Sequence, residues 1–318
     1  MALTTFDFEK PIVDIESEIE EINQANLKKD EKNKKIKELE KKLAEKKKEV
    51  YENLSPWQRI QIARHLQRPH MLDYINMIFT DFVEIHGDRN FSDDPAMICG
   101  FANLDGEPVC VLGQQKGKDT TENLKRNFGM AHPEGYRKAM RIMKIAEKFN
   151  IPILCFVDTP GAYPGIGAEE RGQGEAIARN IRDMSLIKVP IIITIIGEGA
   201  SGGALGIGYG DKILMLENAW YCVISPEGCA SILWRDRAKA PLTAEVLKLT
   251  APDLLSQKII DEIIPEPIGG AHYDPKKAAE FVKKSIEKNL SHLLKLKTET
   301  LLDKRYEKYR NMGVFEEV

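Results

Sequence analysis

Hydrophobic residues near the N-terminus recur at helical spacing and predict two amphipathic helices. The first series has intervals of three and four residues: Ile12, Ile15, Ile19 and Ile22. The second series fits a seven-residue repeat: Ile36, Leu39, Leu43 and Val50. The polar stretch 23–35 separates the two series, and the second is one residue out of register with the first. We therefore expect two helices rather than one rod, forming a helical arm over residues 1–53.

From Ala96 onward the pattern changes to short apolar runs separated by amphipathic segments. Six runs predict β-strands, over residues 96–104, 108–113, 151–158, 189–197, 212–217 and 220–225. The first two flank Asp105-Gly106, which is a strong hairpin signal. The later runs are apolar almost throughout, as strands buried on both faces are. This alternation predicts an α/β fold with a mainly parallel sheet covered by helices.

The segments between the strands carry helix signals. Residues 133–149 have a broad apolar face, and residues 169–187 form a second helical pattern, interrupted near Gly172 and Gly174. Asp274-Pro275 predicts an N-cap followed by proline in the first helical position. We place one catalytic-type domain over residues 54–294 and a basic helical tail over residues 295–318.

Composition narrows the class of protein. The 318 residues are 42% hydrophobic and 30% charged with a net charge of −3, which excludes disordered, collagen-like and membrane classes and gives no overall attraction to nucleic acid or anionic lipid. The lysines between Lys28 and Lys48 alternate with acidic residues, which favours a solvated helix face over a nucleic-acid patch. With neither a leader pattern nor a long apolar stretch, a cytoplasmic protein that binds neither membrane nor nucleic acid is expected.

The cysteines and histidines show no metal-ligand spacing. The cysteines form no C-x-x-C pair and are interpreted as thiols of a reduced core: Cys99, Cys110, Cys155, Cys222 and Cys229. The histidines show neither H-x-H nor H-E-x-x-H spacing: His65, His70, His86, His132, His272 and His292. We therefore predict no bound metal in this chain.

Two glycine-rich junctions each follow a buried strand. Residues 158–167 read DTPGAYPGIG, and residues 197–204 read GEGASGGA. Without Cβ atoms, a ligand oxygen can approach the main chain closely, and a helix beginning at Gly202-Gly203 would add unpaired N–H donors and the positive end of its dipole. Both junctions are candidate anion sites; the alternative is that these glycines only relieve crowding between strand and helix.

Two other interpretations compete for these glycines. Residues 199–203 fit G-x-S-x-G, a nucleophile elbow with Ser201 as nucleophile, which would need Asp253 or Asp261 and His272 to complete a serine-hydrolase triad. Residues 113–120 resemble a phosphate loop, with DTPG at 158–161 as a nucleotide switch motif, but three residues instead of four separate the glycines and Asp119 replaces the hydroxyl that binds Mg²⁺. In a third interpretation, main-chain donors alone form oxyanion sites and Ser201 is a small spacer.

Long co-linear motifs favour the third interpretation. Residues 158–180, 196–208, 223–234 and 263–275, with the upstream runs RPHMLDYI, HGDRNFSDDPAM and GQQKGKDTTENLKRNFGMAHPEGYRKAMR and the opening DFEKPI, closely resemble the carboxyltransferase α subunit of the bacterial multi-subunit acetyl-CoA carboxylase. The resemblance covers nearly the whole chain in order. It is far more specific than a single glycine pattern.

The resemblance implies a crotonase-like fold, a superhelix of β-β-α units. It implies half of a transferase that moves a carboxyl group from carboxybiotin, on a separate biotin carboxyl carrier protein, to acetyl-CoA, giving malonyl-CoA in the first committed step of fatty acid synthesis. A β subunit would supply the other half in an α2β2 assembly, without which the chain would be inactive. ATP would be used only by a partner biotin carboxylase. The alternative from another class is a non-enzymatic scaffold that binds partners through its arm and tail.

Carried over residue by residue, the resemblance assigns the oxyanion pair to Gly202 and Gly203. The carboxybiotin pocket would be lined by eight further residues: Gly161, Ala162, Tyr163, Pro164, Gly165, Ile166, Gly199 and Ser201. Ala200 stands where the family commonly has glycine, and it would be strained if that position needed a positive φ.

Nearby charged residues are weaker candidates. Four basic residues in the 113–130 segment could attract the CoA phosphates or an acidic carrier protein, but solvated loop charge is the favoured interpretation: Lys116, Lys118, Lys125 and Arg126. Glu169, Glu170 and Arg171 are interpreted as charges of a first helical turn, structural or at a subunit contact, and not as catalytic groups.

Overall fold

The computed structural model describes residues 5–25 and 28–314. Its α-helices are α1 Lys10–Gln24, α2 Lys29–Glu52, α3 Pro56–Ala63, α4 Met71–Ile78, α5 Thr120–Lys125, α6 Pro133–Lys148, α7 Ile166–Glu170, α8 Gln173–Ser185, α9 Ser201–Leu205, α10 Pro226–Trp234, α11 Ala240–Val246, α12 Ala251–Ser256, α13 Pro275–Leu293 and α14 Thr298–Arg310. Its strands are β1 Thr80–Glu84, β2 Met97–Leu104, β3 Glu107–Gln114, β4 Ile153–Thr159, β5 Ile191–Ala200, β6 Lys212–Leu216, β7 Trp220–Cys222 and β8 Glu262–Ile264.

The strands form one mixed sheet in the order β1-β2-β3-β4-β5-β6-β8, with β7 paired to the end of β5. The pairs β1–β2 and β2–β3 are antiparallel, and every later pair is parallel. The predicted mainly parallel α/β sheet is therefore confirmed. Strands β1 and β8 are additions that the sequence pattern did not predict.

The hairpin between β2 and β3 forms where the Asp105-Gly106 signal predicts it. Both residues have positive φ, 49° and 97°, as a two-residue hairpin turn of the favoured hand requires. Leu104 faces Glu107 across the turn, so the apolar residues of both strands keep their register. Along the chain, the β2–β3 hairpin is followed by α5 and α6, and β6 and β7, which pair with β5 and not with each other, are followed by α10.

The core lies around the central strands. Every residue of β4 and β5 is buried, which explains why both read as continuous apolar runs. The predicted 169–187 helix is divided into α7 and α8, and the break is at Gly172, whose φ of 81° suits glycine. The prediction of an interruption there is confirmed, although α7 begins at Ile166.

Helices flank the sheet domain at both ends of the chain, as predicted. The arm consists of the packed pair α1 and α2, but α2 begins at Lys29, so much of the stretch predicted to be a polar connection is helical. A small apolar cluster joins this arm to α3: Ile12, Tyr51, Leu54 and Ile62. Asp274 caps α13 by accepting a hydrogen bond from the Lys277 N–H at 3.0 Å. The arm and tail predictions also include residues 1–4, 26–27 and 315–318, which lie outside the described residues.

Candidate active site at the strand ends

The two glycine junctions meet at one edge of the sheet. Strands β4 and β5 are parallel neighbours, and Thr159 is paired with Gly199, so both junctions leave the sheet side by side. A Cβ added to Gly203 would lie 2.3 Å from the Gly161 carbonyl carbon and 2.6 Å from the Ala162 nitrogen. The main chains of the two junctions are therefore in direct contact, and Gly203 accepts no side chain without a shift of backbone.

The strained residue at the end of β5 is Ser201 and not its neighbour. Ala200 is extended, with φ −107° and ψ 132°, so the expected strain at this alanine is absent. Ser201 takes φ 56°, which is the left-handed region. The chain turns here from strand into α9, which has only five residues, so its dipole adds little and the individual N–H groups matter more.

The glycine pair offers two main-chain donors. Among the described residues, neither the Gly202 N–H nor the Gly203 N–H has a hydrogen-bond acceptor. The Gly203 carbonyl is held by the Gln114 side-chain amide at 3.0 Å and by the Tyr136 hydroxyl at 3.4 Å. An oxygen that carries negative charge is the partner that such unengaged donors suit best.

The 161–165 loop packs against residues that precede it in the chain through Gly161 and Tyr163. The Gly161 N–H donates to Thr159 Oγ1 at 3.1 Å, and the Tyr163 N–H donates to the Ala131 carbonyl at 3.1 Å. The Tyr163 ring stacks on His132 at 4.1 Å between centroids and covers Gly165, whose added Cβ would lie 2.4 Å from it. Pro164 and Ile166 are exposed and Ala162 is half-buried. This loop is a rigid wall, and its Gly161 amide is already engaged.

A cavity of about 280 Å³ opens beside the glycine pair, and Ser201 forms part of its wall. Its other lining residues are mainly apolar and include Leu205, Tyr221, Val223 and Leu247. Gly199 lies behind Tyr221, whose ring would be 2.8 Å from a Cβ at that position. Among the predicted site residues, Ser201 lines this cavity, whereas Gly199, Gly202, Gly203 and the exposed Ile166 are not part of its lining.

A buried ion cluster lies on the same edge of the sheet. Lys116 Nζ is 2.7 Å from Asp158 Oδ1 and 2.8 Å from Glu198 Oε1. Only 13% of the Lys116 side chain is exposed, so the interpretation of this lysine as solvated loop charge is wrong. Lys118, by contrast, pairs with Asp73 at the surface, and Lys125 is exposed in the last turn of α5.

Basic and acidic groups from the helices complete this cluster. Arg64 Nε donates to Glu198 Oε2 at 2.6 Å, and the Arg64 guanidinium also pairs with Glu227. His70 Nδ1 lies 3.2 Å from Asp158 Oδ2. Together with Lys116, Arg64 and His70 line a second cavity of about 210 Å³. The cluster therefore forms the wall of a cleft next to the glycine junctions.

Burial and charge act in opposite directions on these groups. Burial alone raises the pKa of the Asp158 carboxyl, but the Lys116 ammonium and the His70 hydrogen bond outweigh it and hold that pKa well below its usual range. Burial likewise raises the pKa of Glu198, and Lys116 and Arg64 together bring it below its usual value. For Lys116, burial lowers the pKa and the two carboxylates raise it further than burial lowers it. All three groups are charged at neutral pH.

Sequence reasoning named Asp158 only as part of the DTPG switch motif of the phosphate-loop interpretation and gave Glu198 no role, although a signal for both exists. Each is a charged residue at the end of an otherwise apolar strand, and charged residues are rarely buried without a partner. Parallel neighbouring strands bring their carboxyl ends to one edge, so Lys116, just beyond β3, is the natural counter-ion. What the sequence does not contain is the order of the strands.

The serine-hydrolase triad is not assembled. The His272 ring stacks on His65 at 3.9 Å between centroids, and its Nδ1 is buried with no hydrogen-bond partner among the described residues. Burial, with the nearby His65 and Arg68, lowers the pKa of His272 to about 3. Asp261 pairs with Lys308, and Asp253 accepts the Thr250 hydroxyl. None of these groups contacts Ser201, so the geometry contradicts the elbow interpretation.

The phosphate-loop interpretation also fails. Gly113 lies within β3, where an added Cβ would be 2.2 Å from the Phe156 carbonyl oxygen, so this glycine serves strand packing. The lysine that would reach a phosphate, Lys116, is held by two carboxylates. Asp119 caps α5 by accepting from the Glu122 N–H at 2.8 Å.

Other predicted features have structural partners. Glu169 is exposed in the first turn of α7, as predicted, and Arg171 pairs with the buried Glu134 at 2.8 Å. Three cysteines are buried and two are half-buried, all as free thiols. Across residues 5–25 and 28–314, no group of three or more His, Cys, Asp or Glu side chains is placed to hold a metal ion. In the same part of the chain, no helix is long and apolar enough to cross a membrane.

Solved structures share this architecture. Transcarboxylase 12S, crystallised with methylmalonyl-coenzyme A and methylmalonic acid, superposes with a TM-score of 0.56 at 20% identity, over 74% of this chain and 45% of the other. A Pseudomonas malonate decarboxylase hetero-tetramer in complex with coenzyme A gives a TM-score of 0.56 at 18% identity, over 67% of this chain and 85% of the other. These likenesses define the fold as crotonase-like and confirm that prediction.

The sequence comparisons are more specific. Residues 5–313 match the family described as acetyl co-enzyme A carboxylase carboxyltransferase-like. The acetyl-coenzyme A carboxylase carboxyl transferase subunit alpha of Syntrophotalea carbinolica is 55% identical over 312 residues, covering 98% of both chains. The chain therefore belongs to the acetyl co-enzyme A carboxylase carboxyltransferase-like family, and it is a transferase component, as the resemblance predicted.

Proposed function

We propose that this chain is the α half of an acetyl-CoA carboxyltransferase in which main-chain amides stabilise the developing oxyanion. The reaction would move a carboxyl group from carboxybiotin, on a separate carrier protein, to acetyl-CoA and give malonyl-CoA for fatty acid synthesis. Full-length identity of 55% to subunit alpha of a named acetyl-coenzyme A carboxylase supports the reaction class. The unengaged amides of Gly202 and Gly203 are the observation that carries the proposed mechanism.

The residues of this chain fit a bound ureido oxygen. Carboxybiotin itself supplies the carboxyl group and, once that group has left, the nitrogen that takes the methyl proton of acetyl-CoA. The Gly202 and Gly203 N–H groups hold the ureido oxygen as negative charge gathers on it. One such preorganised donor contributes a rate factor of about 10² to 10³, or about 3 kcal/mol. The chain therefore needs no nucleophilic serine, cysteine or histidine at this place.

The two loops around the pair keep this pocket in shape. The packed 161–165 segment supports Gly203 from one side through the close approach of Gly161 and Ala162. Gly199 and Ser201 form the turn out of β5 on the other side. Tyr163 shapes the loop through its stacking on His132, while the exposed Pro164 and Ile166 would contact whatever enters from solvent or from a partner chain.

An apolar surface beside the pair supports association with a β subunit. Large apolar side chains are exposed around the Ser201 cavity and on the neighbouring α10 and α11: Leu205, Val223, Ile232, Leu233, Leu242 and Val246. Exposed apolar side chains on neighbouring helices are typical of a protein–protein contact. We assign it to the β subunit of an α2β2 assembly, with the biotin carrier entering the cleft between the chains. A cytoplasmic location and a separate ATP-dependent biotin carboxylase belong to the same proposal.

The test compares Gly203→Val with wild type in the reverse reaction, using malonyl-CoA and biocytin, with and without the β subunit. The chain alone should be inactive and the assembly active. Because the new side chain would meet the 161–162 backbone, Gly203→Val should lower kcat by about 10² to 10³. Gly174→Ala is the matched control, since an added Cβ there meets nothing within 4 Å.

Retention of the wild-type rate by assembled Gly203→Val contradicts the role of the amide pair. Ester hydrolysis by the chain alone that disappears in Ser201→Ala would instead revive the serine nucleophile. Failure of wild type to transfer a carboxyl group in the presence of the β subunit would leave the scaffold interpretation.

A further inference from the structure

The ladder between β4 and β5 is interrupted just before the glycine pair. Val157 pairs with Ile195 and Thr159 pairs with Gly199, so one residue of β4 faces three residues of β5. Such a bulge leaves main-chain groups without their ladder partners and redirects the chain that follows. The redirected chain here is the turn through Ser201 into the glycine pair.

Buried charged side chains satisfy the main-chain groups of this bulge. The Glu198 N–H donates to Asp158 Oδ1 at 3.0 Å, and the Ile196 carbonyl accepts from Arg68 Nε at 2.8 Å. A Cβ at Gly197 would lie 2.4 Å from Asp158 Oδ1, so the glycine leaves room for the carboxylate to reach across. The bulge therefore depends on a carboxyl oxygen of Asp158 inside the protein.

Lys116 is what allows that aspartate and Glu198 to remain ionised so close together. Its ammonium bridges the two carboxylates at 2.7 and 2.8 Å, and Arg64 and His70 bind their outer oxygens. With an aliphatic side chain at residue 116, the two buried carboxylates would have no cation between them. Two like charges in one buried site are strongly unfavourable. One of them would take a proton or withdraw from the bulge.

A chain of hydrogen bonds links the cluster to the glycine pair. The Asp158 N–H donates to Gln114 Oε1 at 3.2 Å, and Gln114 Nε2 donates to the Gly203 carbonyl at 3.0 Å. Gln114 is fully buried and uses both ends of its amide in this link. A displacement of Asp158 would thereby reach the bulge and also the Gly203 carbonyl, which belongs to the peptide group directly after the two N–H donors.

We propose that Lys116 is a positioning residue for the Gly202-Gly203 amides, acting through the carboxylates of Asp158 and Glu198. Its ammonium is held between the two carboxylates, so the role we assign to it is to position backbone, without direct contact with substrate. The inference rests on the proposed function for its effect on rate. Its effect on the geometry of the amides is independent of that function.

The test uses Lys116→Met, Lys116→Arg and the double variant K116M/D158N. The double variant removes the unpaired charge and should fold, because Arg64 still pairs with Glu198. The matched control is Lys144→Met, which removes a lysine that is half exposed and paired with Asp183 at the surface. Two quantities are measured: kcat and KM for malonyl-CoA in the assembly with the β subunit, and hydrogen–deuterium exchange over residues 197–206 in the full chain.

We expect a fall in kcat of about 100-fold in the double variant, as for a catalytic group displaced by about 1 Å, with KM for malonyl-CoA within about threefold of wild type. Exchange over residues 197–206 should become faster while α13 and α14 keep their protection. Lys116→Arg should recover at least about tenfold of the rate lost in Lys116→Met, because it restores the positive charge. Lys144→Met should behave as wild type.

A folded double variant whose kcat returns to within about threefold of wild type overturns the proposal, since Lys116 would then serve stability alone. Unchanged exchange over residues 197–206 in Lys116→Met and in the double variant overturns it as well. If the wild-type assembly transfers no carboxyl group, the proposed function fails, and the exchange measurement still decides whether Lys116 positions the amides.

Discussion

The lysine-rich arm and the strand ends around Lys116 contain the same kinds of ion pair in opposite surroundings. Lys47 and Glu16 join α2 to α1 at 2.7 Å, but their side chains are 27% and 40% exposed. The pair of Lys116 with Asp158 has the same length, 2.7 Å, with only 13% and 2% exposed. The length of the ion pair therefore does not distinguish the two pairs. They differ in how far water reaches their side chains.

The consequence is a different role for each set of charges. An exposed pair contributes about 0–1 kcal/mol, because water solvates both partners almost as well as they solvate each other. A buried pair is costly to assemble and more costly to break, since removal of one partner leaves a charge in a poorly polar medium. The charges of the arm make the surface of its two helices polar, whereas the charges at the strand ends hold main-chain groups in place.

The sharpest test of this contrast removes one cation from each region. Arg68 is almost fully buried, pairs with Glu266 at 2.6 Å and also holds the Ile196 carbonyl. Arg68→Met should lower the free energy of unfolding by about 3–5 kcal/mol, as for other broken buried pairs. Lys47→Met in the arm should lower it by at most about 1 kcal/mol. Urea denaturation of both variants measures the difference, and equal losses would contradict it.

The sequence predicts most of the sheet because its central strands are buried on both faces. Continuous apolar runs and the Asp105-Gly106 turn gave β2 to β7 to within two or three residues. Strand β1 was missed because TDFVE is an edge strand whose side chains are mostly exposed, and β8 because it has only three residues. Domain boundaries at residues 53 and 294 stay a prediction.

The candidate site was predicted in part for a similar reason. Glycines that directly follow an apolar run can be recognised from the sequence, so both glycine junctions were predicted. The strain fell on Ser201 instead of Ala200, because the strand continues through residue 200 before the chain turns. Lys116 was misjudged because its two carboxylates are 42 and 82 residues away in sequence and become neighbours only through strand order.

At low pH, the stability contributed by the buried carboxylates should fall more than that contributed by the exposed pairs of the arm, and this effect is smaller than that of Arg68→Met. Folded Asp158 binds its proton less readily than the unfolded chain, so its contribution to stability is complete above about pH 5 and falls as pH drops below the unfolded pKa of about 3.9. The stability difference between wild type and Asp158→Asn should therefore shrink by about 1 kcal/mol between pH 7 and pH 3.

Urea midpoints at pH 7, 5 and 3 measure this difference. The control is Glu16→Gln in the arm, where the exposed pair contributes little and the variant should stay within about 0.5 kcal/mol of wild type at each pH. A constant difference between wild type and Asp158→Asn over the whole range would mean that the buried carboxylate is not stabilised as an anion.

The two regions also differ in backbone strain, which should give the smallest of these effects on stability but concerns a residue of the candidate site itself. Ser201 takes φ 56°, whereas the described residues of the arm, 5–25 and 28–52, include none with positive φ. A non-glycine residue in the left-handed region costs about 1–2 kcal/mol of stability. Substitution by glycine removes this strain, but the greater entropy of glycine in the unfolded chain cancels part of the gain. Ser201→Gly should therefore raise the free energy of unfolding by up to about 1 kcal/mol. In the assembly with the β subunit its kcat should stay within about threefold of wild type, because the serine hydroxyl has no part in the proposed reaction. Ser201→Ala keeps the strain and should show no gain in stability. A loss of rate common to both variants, with normal folding, would show that the hydroxyl itself takes part and that the turn does more than present two amides.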